Sequence, residues 1–176
     1  MTDVLPTVRA AASRVAERYA RSADDDRPLR GYLTLMGLYG GTVAGLTGLA
    51  AVLGRKPPQK VSAGDVALLT AATYKLSRIL TKDAITSPLR APFTQYSASA
   101  GEGEVNEEPV AHDPYRHAAG ELVNCPFCTS MWVATGLAAG LVLAPGFTRV
   151  AATALTAVAG SDLLQFAFTA VREKVE

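Results

Sequence analysis

An excess of charge of either sign is missing from this chain. Seventeen basic residues meet 16 acidic ones over 176 positions, so no nucleic-acid partner is expected from bulk charge. Cysteine is nearly missing too: two residues are too few to staple a secreted fold. Tryptophan occurs once, at Trp132. There is no Walker-type glycine loop, no Gly-x-Ser-x-Gly and no His-Glu-x-x-His, so the familiar hydrolase signatures are absent. No repeat of solenoid length is present. About thirty mostly polar residues precede the first apolar run, so no secretory signal is expected and that run should remain as a membrane span.

What the chain has is apolar length. Hydrophobic residues make up 49% and charged residues 19%, and the mean hydropathy of +0.17 points to a membrane protein. Residues 1–30 read as a basic amphipathic segment and linker. Val8, Ala12, Val15 and Tyr19 share a stripe, while Arg9, Arg14, Arg18 and Arg21 lie elsewhere, a pattern that suits an anionic membrane surface. Residues 31–53 carry no charge and are long enough to cross a bilayer. Within that run Gly37, Gly41 and Gly45 recur every fourth residue, beside a second row of Gly40, Ala44 and Gly48. Such rows let helices approach closely in lipid, with a helix of this chain or of a second copy as partner.

The remainder, residues 62–171, reads as a core with helices near 62–81, 125–144 and 147–171. The first of these carries Asp65, Lys75 and Arg78, and it either crosses with its charges turned inward or lies in the interface. Residues 94–119 include the acidic stretch Gly101 to Glu108 and read as a mobile polar loop. With four spans and the N-terminus inside, eleven basic residues fall on inner segments and only Arg55, Lys56, Lys60 and Arg149 on outer loops. The expected fold is therefore an all-α integral membrane bundle of four transmembrane helices, three if helix 62–81 does not cross, with an N-terminal amphipathic helix. The N-terminus is expected to be cytoplasmic.

The stretch Cys125-Pro-Phe-Cys128-Thr-Ser-Met-Trp132 opens directly into an apolar run. A Cys-x-x-Cys pair at a helix start has a physical meaning: the helix dipole stabilises thiolate on the first cysteine, and proline in the first turn costs no hydrogen bond. Three readings stand side by side. His112, His117, Cys125 and Cys128 form a His-x4-His-x7-Cys-x2-Cys pattern that would suit tetrahedral zinc. Cys125 as attacking thiolate and Cys128 as resolving thiol would serve disulfide exchange, given a partner protein to relay electrons. The plainest reading is two small packing residues, with Trp132 anchoring the span at headgroup level and no cofactor.

Two separated stretches resemble the signatures of a known family. The first runs from Tyr74 through Arg78, Asp83 and Arg90 to Phe93, and the second from Gly120-Glu121-Leu122 through Cys125 and Cys128 to Trp132. They are similar to domain-of-unknown-function family 1360, small bacterial membrane proteins that include a sporulation-associated protein. The likeness runs from Val66 to Val171 and singles out Arg78, Asp83, Arg90, Gly120, Glu121, Cys125, Cys128 and Trp132. Ser130 stands where a glycine is expected in relatives. The resemblance implies an architecture and a bacterial cell membrane but brings no reaction. The expected function is a structural or interaction component of a membrane assembly, with a thiol-redox or zinc protein as the alternative.

Two charge arrangements are expected. On the four-span reading Arg78, Asp83, Arg90 and Glu121 share one membrane face, so Asp83 or Glu121 should pair with Arg78 or Arg90. Asp162 is the one carboxylate deep in a strongly apolar span, and an ion there needs a partner. It lies about 14 Å from the inner end of its helix, and Lys75 and Arg78 about 10 Å and 6 Å from theirs, so Lys75 is the expected partner.

Overall fold

The computed structural model describes residues 10, 13–15, 19, 28–110 and 113–175. Most of the segment expected as a basic amphipathic helix, and His112, lie outside the described residues. The first long helix, α1, spans Leu29–Val52, and α2 spans Ala63–Lys82. Ser62 caps α2 by accepting from the Asp65 N–H at 3.0 Å, and its hydroxyl donates in turn to the Asp65 carboxylate at 2.9 Å. A 3-10 turn over Ala84–Thr86 and the short α3 (Ser87–Arg90) follow. Two further helices begin with a capping residue followed by proline: α4 (Pro114–Asn124) after Asp113 and α5 (Pro126–Leu143) after Cys125. The last helix, α6, spans Pro145–Val175.

The all-α expectation is corrected between α3 and α4. The stretch expected as a mobile acidic loop forms an antiparallel hairpin, β1 (Thr94–Gly101) with β2 (Glu104–Pro109). Gly101 and Gly103 flank the turn at φ +136 and +76, which glycine adopts without a Cβ clash. Composition misleads here because the acidic residues alternate in role. Along β2, Val105, Glu107 and Pro109 turn inward while Asn106 and Glu108 face out, the period of two that a half-buried strand shows.

Helices α2, α5 and α6 pack together through small side chains. Ala72, Val133, Ala152 and Ala159 are buried, as are the polar Ser77, Thr81 and Thr148. At Gly140 of α5 an added Cβ would meet the Thr148 hydroxyl of α6 at 2.6 Å, so the Thr148 side chain packs directly on the α5 backbone there. Large apolar side chains point outward instead: Leu33, Met36 and Leu38 on α1, and Leu163, Leu164, Phe166 and Phe168 on α6. Apolar surface on that scale belongs to lipid or to a partner. By length and composition α1, α5 and α6 can each cross a membrane.

α1 joins the others through α4 and α5. At Gly31 an added Cβ would stand 2.6 Å from the Ala118 Cβ, so glycine is required where α1 crosses α4. Farther along, the Tyr39 and Trp132 rings meet edge to face at 5.1 Å, and the Tyr39 hydroxyl lies 2.8 Å from the Thr135 hydroxyl.

Candidate functional site: the polar cap and its cysteine cleft

The 3-10 turn, α3, the hairpin and α4 form a polar cap on one end of the bundle, and Arg90 is its centre. Only 1% of this side chain is exposed, and no larger fully buried side chain occurs among the described residues. Its Nε and Nη2 donate to the two oxygens of Glu107 at 2.9 Å each, a bidentate pair. Nη1 donates to the Leu80 carbonyl and the Thr86 hydroxyl, and Nη2 also to the Asp83 carbonyl and the Ser87 hydroxyl. Glu107 accepts further bonds from Ser87 and Thr94 at 2.9 and 2.7 Å. Burial alone would push the Glu107 carboxyl up, but the bonds from Arg90, Thr94 and Ser87 and the Arg90 charge hold it down at about 2. Every ordinary bond of both groups is thereby filled, which is what a buried ion pair requires.

The expected pairing of Asp83 or Glu121 with Arg78 or Arg90 is corrected by this arrangement. Arg78 forms its bidentate pair with Glu104 at the start of β2, at 2.8 and 2.7 Å. Asp83 contributes backbone: its carbonyl accepts from Arg90, and Asp83 bridges to Glu104 across the hairpin's open edge. Glu121 lies across the cap, where it accepts from the Tyr32 hydroxyl of α1 and stands 3.8 Å from His117 Nε2. Both chosen carboxylates sit in the stretch taken for a loop, and only folding of that stretch brings them to the arginines. Gly120 is explained by packing: an added Cβ would sit 3.0 Å from the Pro109 Cβ and press on the Phe93 carbonyl.

Asp162 and Lys75 are brought together, with Lys75 Nζ 2.8 Å from Asp162 Oδ2. Arg149 Nη2 meets Asp65 Oδ1 at 3.1 Å nearer the other end of the same two helices, and the Thr156 hydroxyl donates to the Leu68 carbonyl between them. These contacts advance together along both chains, so α2 and α6 run parallel. The glycine row of α1 is brought to nothing: within 4 Å of an added Cβ at Gly37, Gly41 or Gly45 there is no neighbour.

The cysteines open onto a cleft of about 520 Å³ between α1, α4 and α5, walled by Tyr32, Leu35, Pro109, Glu121 and Asn124. Both thiols are free; Cys128 is exposed and Cys125 half-buried. Cys125 is the N-cap of α5, and its sulfur accepts from the Cys128 N–H at 3.3 Å. Burial pushes the Cys125 thiol up. Hydrogen bonds from the Cys128 thiol and from the backbone of Cys128 and Phe127, with the Lys82 charge, more than offset this, and the thiol lies below its ordinary value. Lys82 is itself fixed by Asn124 at 3.1 Å.

The zinc set is not assembled. His117 Nδ1 is engaged with the Val110 carbonyl at 3.2 Å, and no group of three or more His, Cys, Asp or Glu among the described residues stands close enough to hold a metal. Glu104, Glu107, Lys82 and Tyr32 are the residues that sequence reasoning missed, and the inward alternation of β2 was the available signal for Glu107.

Comparison with known families places the chain. Residues 68–168 match the family described as "Protein of unknown function (DUF1360)", more than half of the chain. The chain belongs to that family. The DUF1360 match takes in most of α2, the cap, α5 and most of α6, and it leaves α1 outside. No curated protein and no solved structure matches the chain.

Proposed function

We propose that this DUF1360 protein is a four-span protein of the bacterial cell membrane, with its N-terminus and cap on the cytoplasmic side. We propose further that it acts as an interaction component by pairing with a second copy of itself through α1. The matched family carries no reaction, so the reading rests on the geometry.

Support for a fourth span comes from register. α6 is long and apolar enough to cross, and α2 runs beside it in the same direction from Asp65–Arg149 to Lys75–Asp162. Ten residues of α2 separate those contacts, about 15 Å of depth. A helix that follows a crossing helix over that depth crosses with it. The excess of basic residues on the N-terminal segment, the cap and the C-terminal tail supports the orientation.

The observation that carries the association is the bare glycine face of α1. Gly37, Gly40, Gly41, Gly45 and Gly48 have no neighbour that an added Cβ would reach, while Leu35, Tyr39 and Leu46 on other sides of the helix are partly covered. Glycine in a helix costs up to about 1 kcal/mol relative to alanine unless close approach recovers it. The row occupies the middle of the span, and a parallel second copy supplies an identical row at the same depth by symmetry. Any other partner would need a small face at a matching level.

Sedimentation of the full chain in lipid nanodiscs and in detergent tests this. The wild type is expected to be dimeric and Gly41→Leu monomeric with unchanged helical content. A wild type that stays monomeric at every protein-to-lipid ratio overturns the pairing. A membrane-impermeant thiol reagent that labels Cys128 as fast in intact cells as in inside-out vesicles overturns the orientation.

A further inference from the structure

We propose that Cys125 and Cys128 form a thiol–disulfide exchange site that faces the cleft and accepts a disulfide whose flanking groups are not anionic. This inference goes beyond self-association and does not depend on it. The features that carry it are independent of one another. The two thiols are free and one helical turn apart, at the start of α5. They open onto a preformed cleft of about 520 Å³, within the range of small-ligand sites. The carboxylate of Glu121 forms part of the wall, fixed by the Tyr32 hydroxyl, so anionic substrates are repelled at the mouth.

Cys125 is the attacking residue. Its sulfur accepts from the Cys128 N–H at the start of the helix, where the unpaired N–H groups of the first turn favour negative charge. The Cys125 thiolate attacks one sulfur of the substrate disulfide. A Cys125–substrate disulfide forms, and the other half leaves as a thiolate that takes a proton from water. Cys128, whose proton passes to solvent, then attacks the Cys125 sulfur. The second half of the substrate leaves as a thiol, and a Cys125–Cys128 disulfide remains. Two electrons have passed from the protein to the substrate, and a low-molecular-weight thiol or a protein dithiol on the same face returns them.

The test uses the full chain in nanodiscs, with cystamine as a cationic disulfide, glutathione disulfide as an anionic one and a disulfide-bridged cationic peptide as the protein-derived form. Mass spectrometry follows the products. Wild type is expected to release two thiols per disulfide consumed and to end with Cys125 and Cys128 joined. Cys128→Ser is expected to stop at a mixed disulfide on Cys125. Cys125→Ser should form its adduct about tenfold more slowly, since only the thiolate reacts. Cystamine should outpace glutathione disulfide, and Glu121→Gln should narrow that preference. A peptide faster than cystamine assigns a protein source for the disulfide, and a slower one a small-molecule source. Equal rates for the two serine variants, or a wild type that halts at the mixed disulfide, overturn the proposal. Should a serine variant lose helical content, the wild-type thiol count decides alone.

Discussion

In the cap, Arg90 and Glu107 are buried almost completely, 1% and 5% exposed, and five other protein groups surround them with hydrogen bonds. In the bundle, Lys75 and Asp162 are 14% and 34% exposed and make one contact with each other at 2.8 Å, between helices whose buried residues are mostly alanine, serine and threonine and which share one further, more exposed pair, Asp65–Arg149. The same chemistry does different work in the two places. The cap has little apolar surface to bury, so the chain wraps its polar groups around one guanidinium and gains a defined shape from the geometry of that ion. The bundle derives its cohesion from close helix contact, and its charge pair sets the register of α2 against α6. A fixed network fails when one member is lost, whereas a single contact between helices fails more gently.

The largest effect is therefore expected at Glu107. Glu107→Ala leaves a buried guanidinium without its counter-ion, a loss of about 3–5 kcal/mol, and the hairpin should become open to protease while the bundle stays helical. Arg90→Met combined with Glu107→Met should recover part of the loss, because no charge is then stranded. Acid gives the same answer without a substitution. The Glu107 carboxyl is held at about 2 against an ordinary 4.5, so the unfolded chain binds more protons than the folded one between those values. The stabilisation is fully present above pH 4.5 and is lost as pH falls toward 2, on the order of 3 kcal/mol. Melting followed by circular dichroism should show a steep loss below pH 4.5 in the wild type and a shallower one in Glu107→Gln. Equal slopes would mean that the cap does not depend on this ion.

How far the sequence discloses each region follows the same division. The spans α1, α5 and α6 are legible because uninterrupted apolar runs such as Met131 to Leu143 have one physical use. Lys75 and Asp162 are legible as partners because helical rise alone puts them at similar depth, and both lie in elements whose limits the sequence marks. The cap is less legible. Glu104 and Glu107 lie in a stretch whose composition resembles a solvated loop, and their value comes from Arg78 and Arg90, more than fifteen residues earlier. Asp83 and Glu121 look like better partners because they lie in the motifs, yet Asp83 spends its carbonyl on Arg90 and Glu121 faces α1. The position of the cysteines at a helix start is legible from Cys-Pro. The cleft is not, since it needs Tyr32 and Leu35 from a helix outside the family match.

The bundle pair should cost less to break than the cap pair. Asp162→Asn or Lys75→Gln is expected to lower stability in detergent by about 2 kcal/mol, since the remaining charge can reach water or neutralise at the edge of the helix packing. The double variant should lose less than the sum of the two, with a coupling of about 1 kcal/mol. Strictly additive losses would show that the contact contributes nothing, and the register of α2 would then rest on its small-residue packing, the Asp65–Arg149 pair and the Thr156–Leu68 bond.

The smallest effect belongs to the cap's other bidentate pair, and it sharpens the comparison because the pair geometry is the same while burial and the surrounding bonds differ. Arg78 and Glu104 match the Arg90–Glu107 geometry closely, at 2.7–2.8 Å, but the Arg78 side chain is 41% exposed. Water and salt compete for both partners there, so the Coulomb gain shrinks to about 0.5–1 kcal/mol and ordering two long side chains takes part of that back. What Glu104 supplies is position, because Asp83 bridges to it and the Ala84 N–H donates to the Gly103 carbonyl at 2.8 Å. Glu104→Gln should therefore lower the melting temperature only slightly at low salt, and 0.5 M salt (Debye length about 4 Å) should erase most of the difference. Glu107→Gln should keep its full deficit at both salt concentrations, since no counter-ion reaches a buried guanidinium. If Glu104→Gln proves as costly as Glu107→Gln and as indifferent to salt, the exposed pair is part of the cap's core and burial is not what separates the two.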